Sequence, residues 1–212
     1  MRREAQRCRA DTVAAPCAKA AGTSSAEHFK AGMADVLHSL ELYEAEADAH
    51  KLAGSLYAKA ASGMSEKIGN SFKIKEHVAR AIELNPADAT AEFILGTWCY
   101  KVASLDWVSR RIASTFFATP PTSSYEEAVE HLTKAEAIST SATGFGPILT
   151  ARLMLAHCHE ALGAKGEAAK WAGLAAEVPP AAEEDPEDIT ALVKMLHRYK
   201  LPVPPALTSA KA

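Results

Sequence analysis

Small residues set at helix-contact intervals constrain this chain more than any other feature in it. Between Leu149 and Pro180, a Leu155-Ala156 pair is followed by Ala168, Ala175 and a closing Pro180. That spacing suits two helices folded back on each other with backbones in near contact, since any side chain beyond Ala at those points would push the pair apart. The phase recurs upstream. Leu95-Gly96 leads to Ala128, Leu132 and Ala135, but Leu95 to Ala128 is 33 residues where Leu155 to Ala168 is 13, so this copy carries a 20-residue insertion. Gly54, Tyr57, Val78, Ala81 and Pro86 make a third copy, with 27 residues from Gly54 to Ala81 against 19 from Ala156 to Ala175, an insertion of eight.

This is the pattern of the tetratricopeptide repeat, with His159 in the usual Tyr position. The predicted fold is all-α: a right-handed superhelix of three irregular tetratricopeptide-type helical hairpins, with an extra N-terminal helix, an inserted helix and a C-terminal cap. Only 7% of residues are aromatic and 48% are apolar, which favours helix over sheet and a sizeable core over disorder.

A net charge of -3 supplies no basic footprint for nucleic acid. Cys8, Cys17, Cys99 and Cys158 form no CxxC pair, and a reduced setting is expected. No run of about 18 apolar residues offers a transmembrane segment. Residues 1–24 carry Arg2, Arg3, Arg7 and Arg9 without an apolar stretch and are expected to be a disordered or targeting leader. The repeat domain is expected over 25–199, and 200–212 as a Pro-rich disordered tail.

Helices are predicted from the capping box Ser24-x-x-Glu27 to about 43, then at 47–61, 70–84, 88–103, 124–138 (begun by the capping box Ser124-x-x-Glu127), 147–162 and 165–178. Asp185 as cap, with Pro186 behind it and acids in the first turn, predicts a last helix to about Tyr199, whose Ile189, Leu192, Val193 and Leu196 close the array. The longer insertion, residues 104–121, places Trp107, Ile112, Phe116 and Phe117 around a short helix capped by Asp106, with Arg110 and Arg111 adjacent. Two readings stay open for it: aromatics packed over the neighbouring repeat, or an apolar pocket with arginines at its mouth for a lipid phosphate.

The strings EKIGNSFKIKEHVARAIELNPADATAEFILGTWCY, RRIASTFFATPPTSSYEEAVEHLTKAE and EVPPAAEEDPED resemble the regulator of microtubule dynamics family. The likeness lies in a KIKEH-type helix, a Gly-x-Trp-Cys-Tyr motif and an Ile-Ala-x-x-x-Phe-Ala-x-Pro-Pro insertion, and it covers roughly residues 47–199. Thr140 stands where a proline usually closes the second repeat. The resemblance implies association with microtubules and the spindle in the cytoplasm. In one mitochondrial outer-membrane branch it implies tethering to the endoplasmic reticulum and phospholipid binding.

No catalytic set, cofactor motif or metal site is legible, and an enzyme is not expected. His157 and His159 point about 200° apart on one helix and cannot hold one metal together. The better candidate is a peptide- or anion-binding groove on the first helix of each repeat. Its expected lining is Lys51, Ser55, Lys59, Phe93, Thr97, Tyr100, Lys101, Leu153 and His157, and three lysines with two aromatic rings suit acidic tubulin tails or another acidic peptide. The function so predicted is a non-enzymatic microtubule-associated adaptor. The alternative is a phospholipid-binding or organelle-tethering module using the inserted helix.

Overall fold

The computed structural model describes residues 25–60, 64–116, 120–141, 148–180 and 185–209, and every regular element among them is a helix. In chain order these are α1 (Ser25–Leu42), α2 (Ala47–Ala60), α3 (Met64–Leu84), α4 (Ala89–Ala103), α5 (Trp107–Phe116), α6 (Tyr125–Ser139), α7 (Leu149–Ala161), α8 (Lys165–Ala176), α9 (Pro186–Arg198) and α10 (Pro205–Ser209). The chain divides into two compact units, Met1–Ile94 with Asp106–Pro121, and Leu95–Leu105 with Thr122–Ala212, so the division falls inside α4.

In the first unit α2 packs along α3, and α1 packs on α2. The contact is close because Gly54 faces Val78: a Cβ built at 54 would lie 2.4 Å from Val78 Cγ2. Val36, Ala53 and Leu56 are buried there, with Phe29, Met33, Leu40 and Leu52 packed around them. Helix α3 begins at Met64 rather than near residue 70, because Ile68 is buried and repays the extra turns despite Gly69. Asp106 caps α5 as expected, its Oδ1 accepting from Ser109 N at 2.6 Å.

In the second unit Gly96 of α4 meets Leu132 of α6, where a Cβ would lie 2.7 Å from Leu132 Cγ and 3.0 Å from the Leu132 nitrogen. Helices α7 and α8 pair beyond a turn in which Gly163 takes φ 77°. Arg152 ties three helices together. Its Nε and Nη2 donate to Glu136 Oε1 at 2.8 and 2.6 Å, and its Nη1 donates to the Leu174 carbonyl at 2.7 Å. Ser124 and Asp185 cap α6 and α9 as their sequence positions predict; Ser24 lies outside the described residues.

Residues 200–209 correct the expectation of a disordered tail over 200–212, whose last three positions lie outside the described residues. Leu201 N donates to the Leu196 carbonyl at 2.9 Å, closing α9 with Lys200 at φ 57°. Leu207 of α10 is buried in the core formed by Leu149, Leu153, Ile189, Leu192, Met195 and Leu196, and Leu201 and Val203 pack against the same core. The prolines in this stretch therefore shape a docked segment: they end α9 cleanly and still allow apolar side chains to return to the core.

Two glycines separate packing from helix propensity. Gly96→Ala should lower stability by about 1–3 kcal/mol, because Leu132 backbone as well as its side chain blocks the new methyl. Gly166→Ala meets nothing within 4 Å and should stabilise by up to about 1 kcal/mol through lower backbone entropy in the unfolded chain. Chemical denaturation of both variants checks the pair.

Candidate functional site

The residues expected to line one groove fall in the two units, and each set has its own surroundings. In the first unit Lys51 is half-buried and its Nζ donates to Asp48 Oδ1 at 2.9 Å and to Asp88 Oδ2. Asp88 also caps α4, its Oδ1 accepting from Thr90 N at 2.9 Å and Ala91 N at 3.1 Å. Burial works against the Lys51 charge, but the hydrogen bonds to Asp88 and Asp48 outweigh it and hold the ammonium above its ordinary range. Lys51 is thus an internal tie between α2 and the start of α4, which corrects its reading as a cation offered to an acidic ligand. Ser55 Oγ donates to the Lys51 carbonyl at 3.1 Å. Lys59, at the end of α2, is exposed, and Phe93 is half-buried.

In the second unit Tyr100 of α4 stacks on His157 of α7 with ring centroids 6.3 Å apart and planes at 28°. The ring of Tyr125, the first residue of α6, lies 6.3 Å from that of Tyr100 with the planes tilted at 54°. Thr97 Oγ1 donates to Met154 Sδ at 3.6 Å. Burial is the main reason the His157 pKa sits below its ordinary value, so at neutral pH this ring is an uncharged aromatic surface rather than an anion site. Lys101 is exposed. Leu153 corrects the expected lining. It is 2% exposed and belongs to the core under α9, because it sits one turn from Leu149 on the same stripe of α7 and the apolar face of α9 covers that stripe. Glu160 accepts from Arg198 at 2.5 Å and from Tyr199 at 3.0 Å, linking α7 to the end of α9.

The inserted helix α5 also differs from expectation. Trp107 is 76% exposed, Val108 57% and Ile112 39%, while Ala113 is the buried residue. Trp107 therefore faces solvent among the described residues. Arg110 and Arg111 are exposed as well; Phe117 and the Phe116 side chain lie outside the described residues. Cys158 is fully buried, and burial pushes its thiol up to about 12, aided by Cys99, so it is inert as a nucleophile at neutral pH. Among the described residues no three His, Cys, Asp or Glu side chains gather as a metal site would need.

Asp88, Tyr125 and Met154 have no spacing signal that would pair them with Lys51, Tyr100 and Thr97. The one available hint is the Asn85-Pro86-Ala87-Asp88 turn, which sets an acid at a helix cap beside α2. Lys51→Ala should cost about 1–2 kcal/mol, since it strips a partly buried pair of carboxylates of their shared donor. Lys59→Ala should change stability by less than about 0.5 kcal/mol. Urea titration of the two variants distinguishes the tie from the surface cation.

Residues 6–200 match the family described as Regulator of microtubule dynamics protein 1-3. The chain is 38% identical over 134 residues to Regulator of microtubule dynamics protein 3 of Xenopus laevis, covering 63% of this chain and 28% of that one. It is 39% identical over 137 residues to Regulator of microtubule dynamics protein 1 of Bos taurus, covering 65% of this chain and 42% of that one. With the Mus musculus protein 1 the identity is 37% over 160 residues, 74% of this chain and 51% of the relative. The matched region thus spans about a quarter to a half of these relatives' length. A mutant O-GlcNAc transferase of Thermobaculum terrenum superposes over 93% of this chain and 27% of its own at 15% identity and a TM-score of 0.46, too loosely to bear on the fold. With the helical pairing, the inserted α5 and a match running almost end to end, the chain belongs to the regulator of microtubule dynamics protein 1-3 family.

Proposed function

We propose that this chain is a non-enzymatic adaptor that engages microtubules and so regulates their dynamics or spindle organisation, acting at the cytoskeleton through the exposed faces of its helical hairpins. The observation that carries this reading is the family match over residues 6–200, whose relatives are named for microtubule dynamics. Exposed Lys59 and Lys101, one in each unit, supply the attraction for an acidic tail, with Tyr100, Tyr125 and His157 as a neutral aromatic surface beside the second. Lys51 takes no part, because Asp48 and Asp88 already hold it.

A second reading, phospholipid binding or organelle tethering through the inserted helix, is favoured by one feature. Trp107, Val108 and Ile112 are exposed beside Arg110 and Arg111, a combination suited to a membrane surface more than to an enclosed pocket. No described helix is long and apolar enough to cross a membrane.

Microtubule co-pelleting separates the two. Reversing both Lys59 and Lys101 to Glu should weaken binding about tenfold, at roughly 0.5–1 kcal/mol for each exposed charge, and added salt should do the same to the unaltered chain. Pelleting that ignores both salt and the double reversal would sink the electrostatic adaptor. Trp107→Ser with Ile112→Ser should leave pelleting unchanged under the first reading. Under the second it should abolish flotation with phosphatidylserine-containing vesicles at any salt, because apolar burial is not screened.

A further inference from the structure

His50 of α2 and His77 of α3 face each other in the first unit with their Nδ1 atoms 3.0 Å apart. His50 is buried, and its Nε2 lies 2.9 Å from the Glu44 carbonyl oxygen, which can only accept, so that nitrogen carries a proton. In a neutral His50 the Nδ1 lone pair is therefore left to accept, and His77 must donate to it. The contact joins three segments: the turn at 43–46 through Glu44, α2 through His50, and α3 through His77.

We propose that this pair is a two-proton latch that, beside the Glu44–Arg80 ion pair, clasps the 43–46 turn to α3 while at most one imidazole is charged and opens its own contact when both are. The latch goes beyond the adaptor reading and does not depend on it. The first proton enters at His77 Nε2, the lone pair not used in the contact, and leaves the donation from His77 to His50 intact. A second proton can bind only at His50 Nδ1, where it turns the acceptor into a donor and sets two N–H groups against each other. No geometry at 3.0 Å satisfies both. The turn then loses its tie to α3 through His50.

The surrounding charges do not remove the conflict. Glu44 Oε1 lies 3.6 Å from His50 Nε2, yet this carboxylate is already gripped by Arg80 at 2.7 and 2.9 Å, and Arg80 also donates to Glu83 at 3.0 Å. From α3, Glu76 favours a charged His77 while Lys73 opposes it. Tyr57 of α2 stacks on the His77 ring at 5.7 Å and 18°, with the Lys73 ammonium 4.9 Å from the Tyr57 ring centre. Burial first, and then the neighbouring His50, hold the His77 pKa below its ordinary value. The part of the stability that depends on a neutral His77 is therefore complete above the ordinary imidazole pKa of about 6.5 and is lost as pH falls through the lower folded-state value of His77.

Hydrogen exchange of the whole chain, corrected for intrinsic rates and followed from pH 7.5 to 4.5 in enough salt to screen Glu44–Arg80, tests the latch, with imidazole NMR on the same samples. Protection at residues 43–46 should fall about tenfold or more in step with the second imidazole titration, with a slope approaching two protons. His77→Gln supplies a side-chain N–H that donates to His50 Nδ1 and cannot be charged, so in that variant release should need one proton and show a slope near one. Three results would overturn the latch: protection that persists after both rings are charged, a two-proton slope retained in His77→Gln, or loss of the turn only together with unfolding of the whole chain.

Discussion

The closeness of paired helices is the constraint on which the rest of this structure depends. At Gly54 and Gly96 the partner helix occupies the space where a Cβ would stand, against Val78 and Leu132 respectively. Fully buried Ala53, Ala81, Ala128, Ala156, Ala168 and Ala175 continue the same narrow spacing. A small residue on one helix receives a larger aliphatic side chain of its partner and water is excluded along the seam, so a chain with few aromatic residues can still bury continuous apolar surface. The larger Leu and Met side chains are then free for the outer layers, as in the core beneath α9, where Leu192, Met195 and Leu196 cover Leu149 and Leu153.

Close packing also decides where charge can go. A lysine beside a neighbouring helix cap finds carboxylates at hand, and Lys51 is consumed by Asp48 and Asp88. Arg152 is likewise spent within the fold on Glu136 and the Leu174 carbonyl, joining α6, α7 and α8. Exposed lysines are instead found toward the ends of helices, Lys59 in the last turn of α2 and Lys101 in the last turn of α4. Polar residues drawn inward become joints, and only those kept out by geometry remain for recognition.

The inserted segment obeys a different rule. Because α5 lies outside the repeating pair, it is held through Ala113 and turns Trp107, Val108 and Ile112 toward solvent. An apolar residue in a repeat position has a partner helix supplied by the repeat, but one in an insertion has no such guarantee. The expectation that Trp107 would be covered transferred the logic of the repeat to a helix that is not part of it.

Local chemistry made most of the fold legible in the amino-acid sequence alone. Small residues in phase announced the pairs, Asp106, Ser124 and Asp185 announced three helix starts, and Ile189, Leu192 and Leu196 announced the closing helix, because each signal acts over one helix turn or one helix contact. What the sequence could not determine depends on residues far apart in the chain. That Asp88 takes Lys51, that His50 meets His77 nose to nose, that Leu153 is core rather than groove, and that Leu207 returns to the α9 core were decided by tertiary packing. The reason is physical: periodicity tells which face of a helix is apolar, but only the neighbour brought against that face determines whether a side chain is buried, paired or left to water.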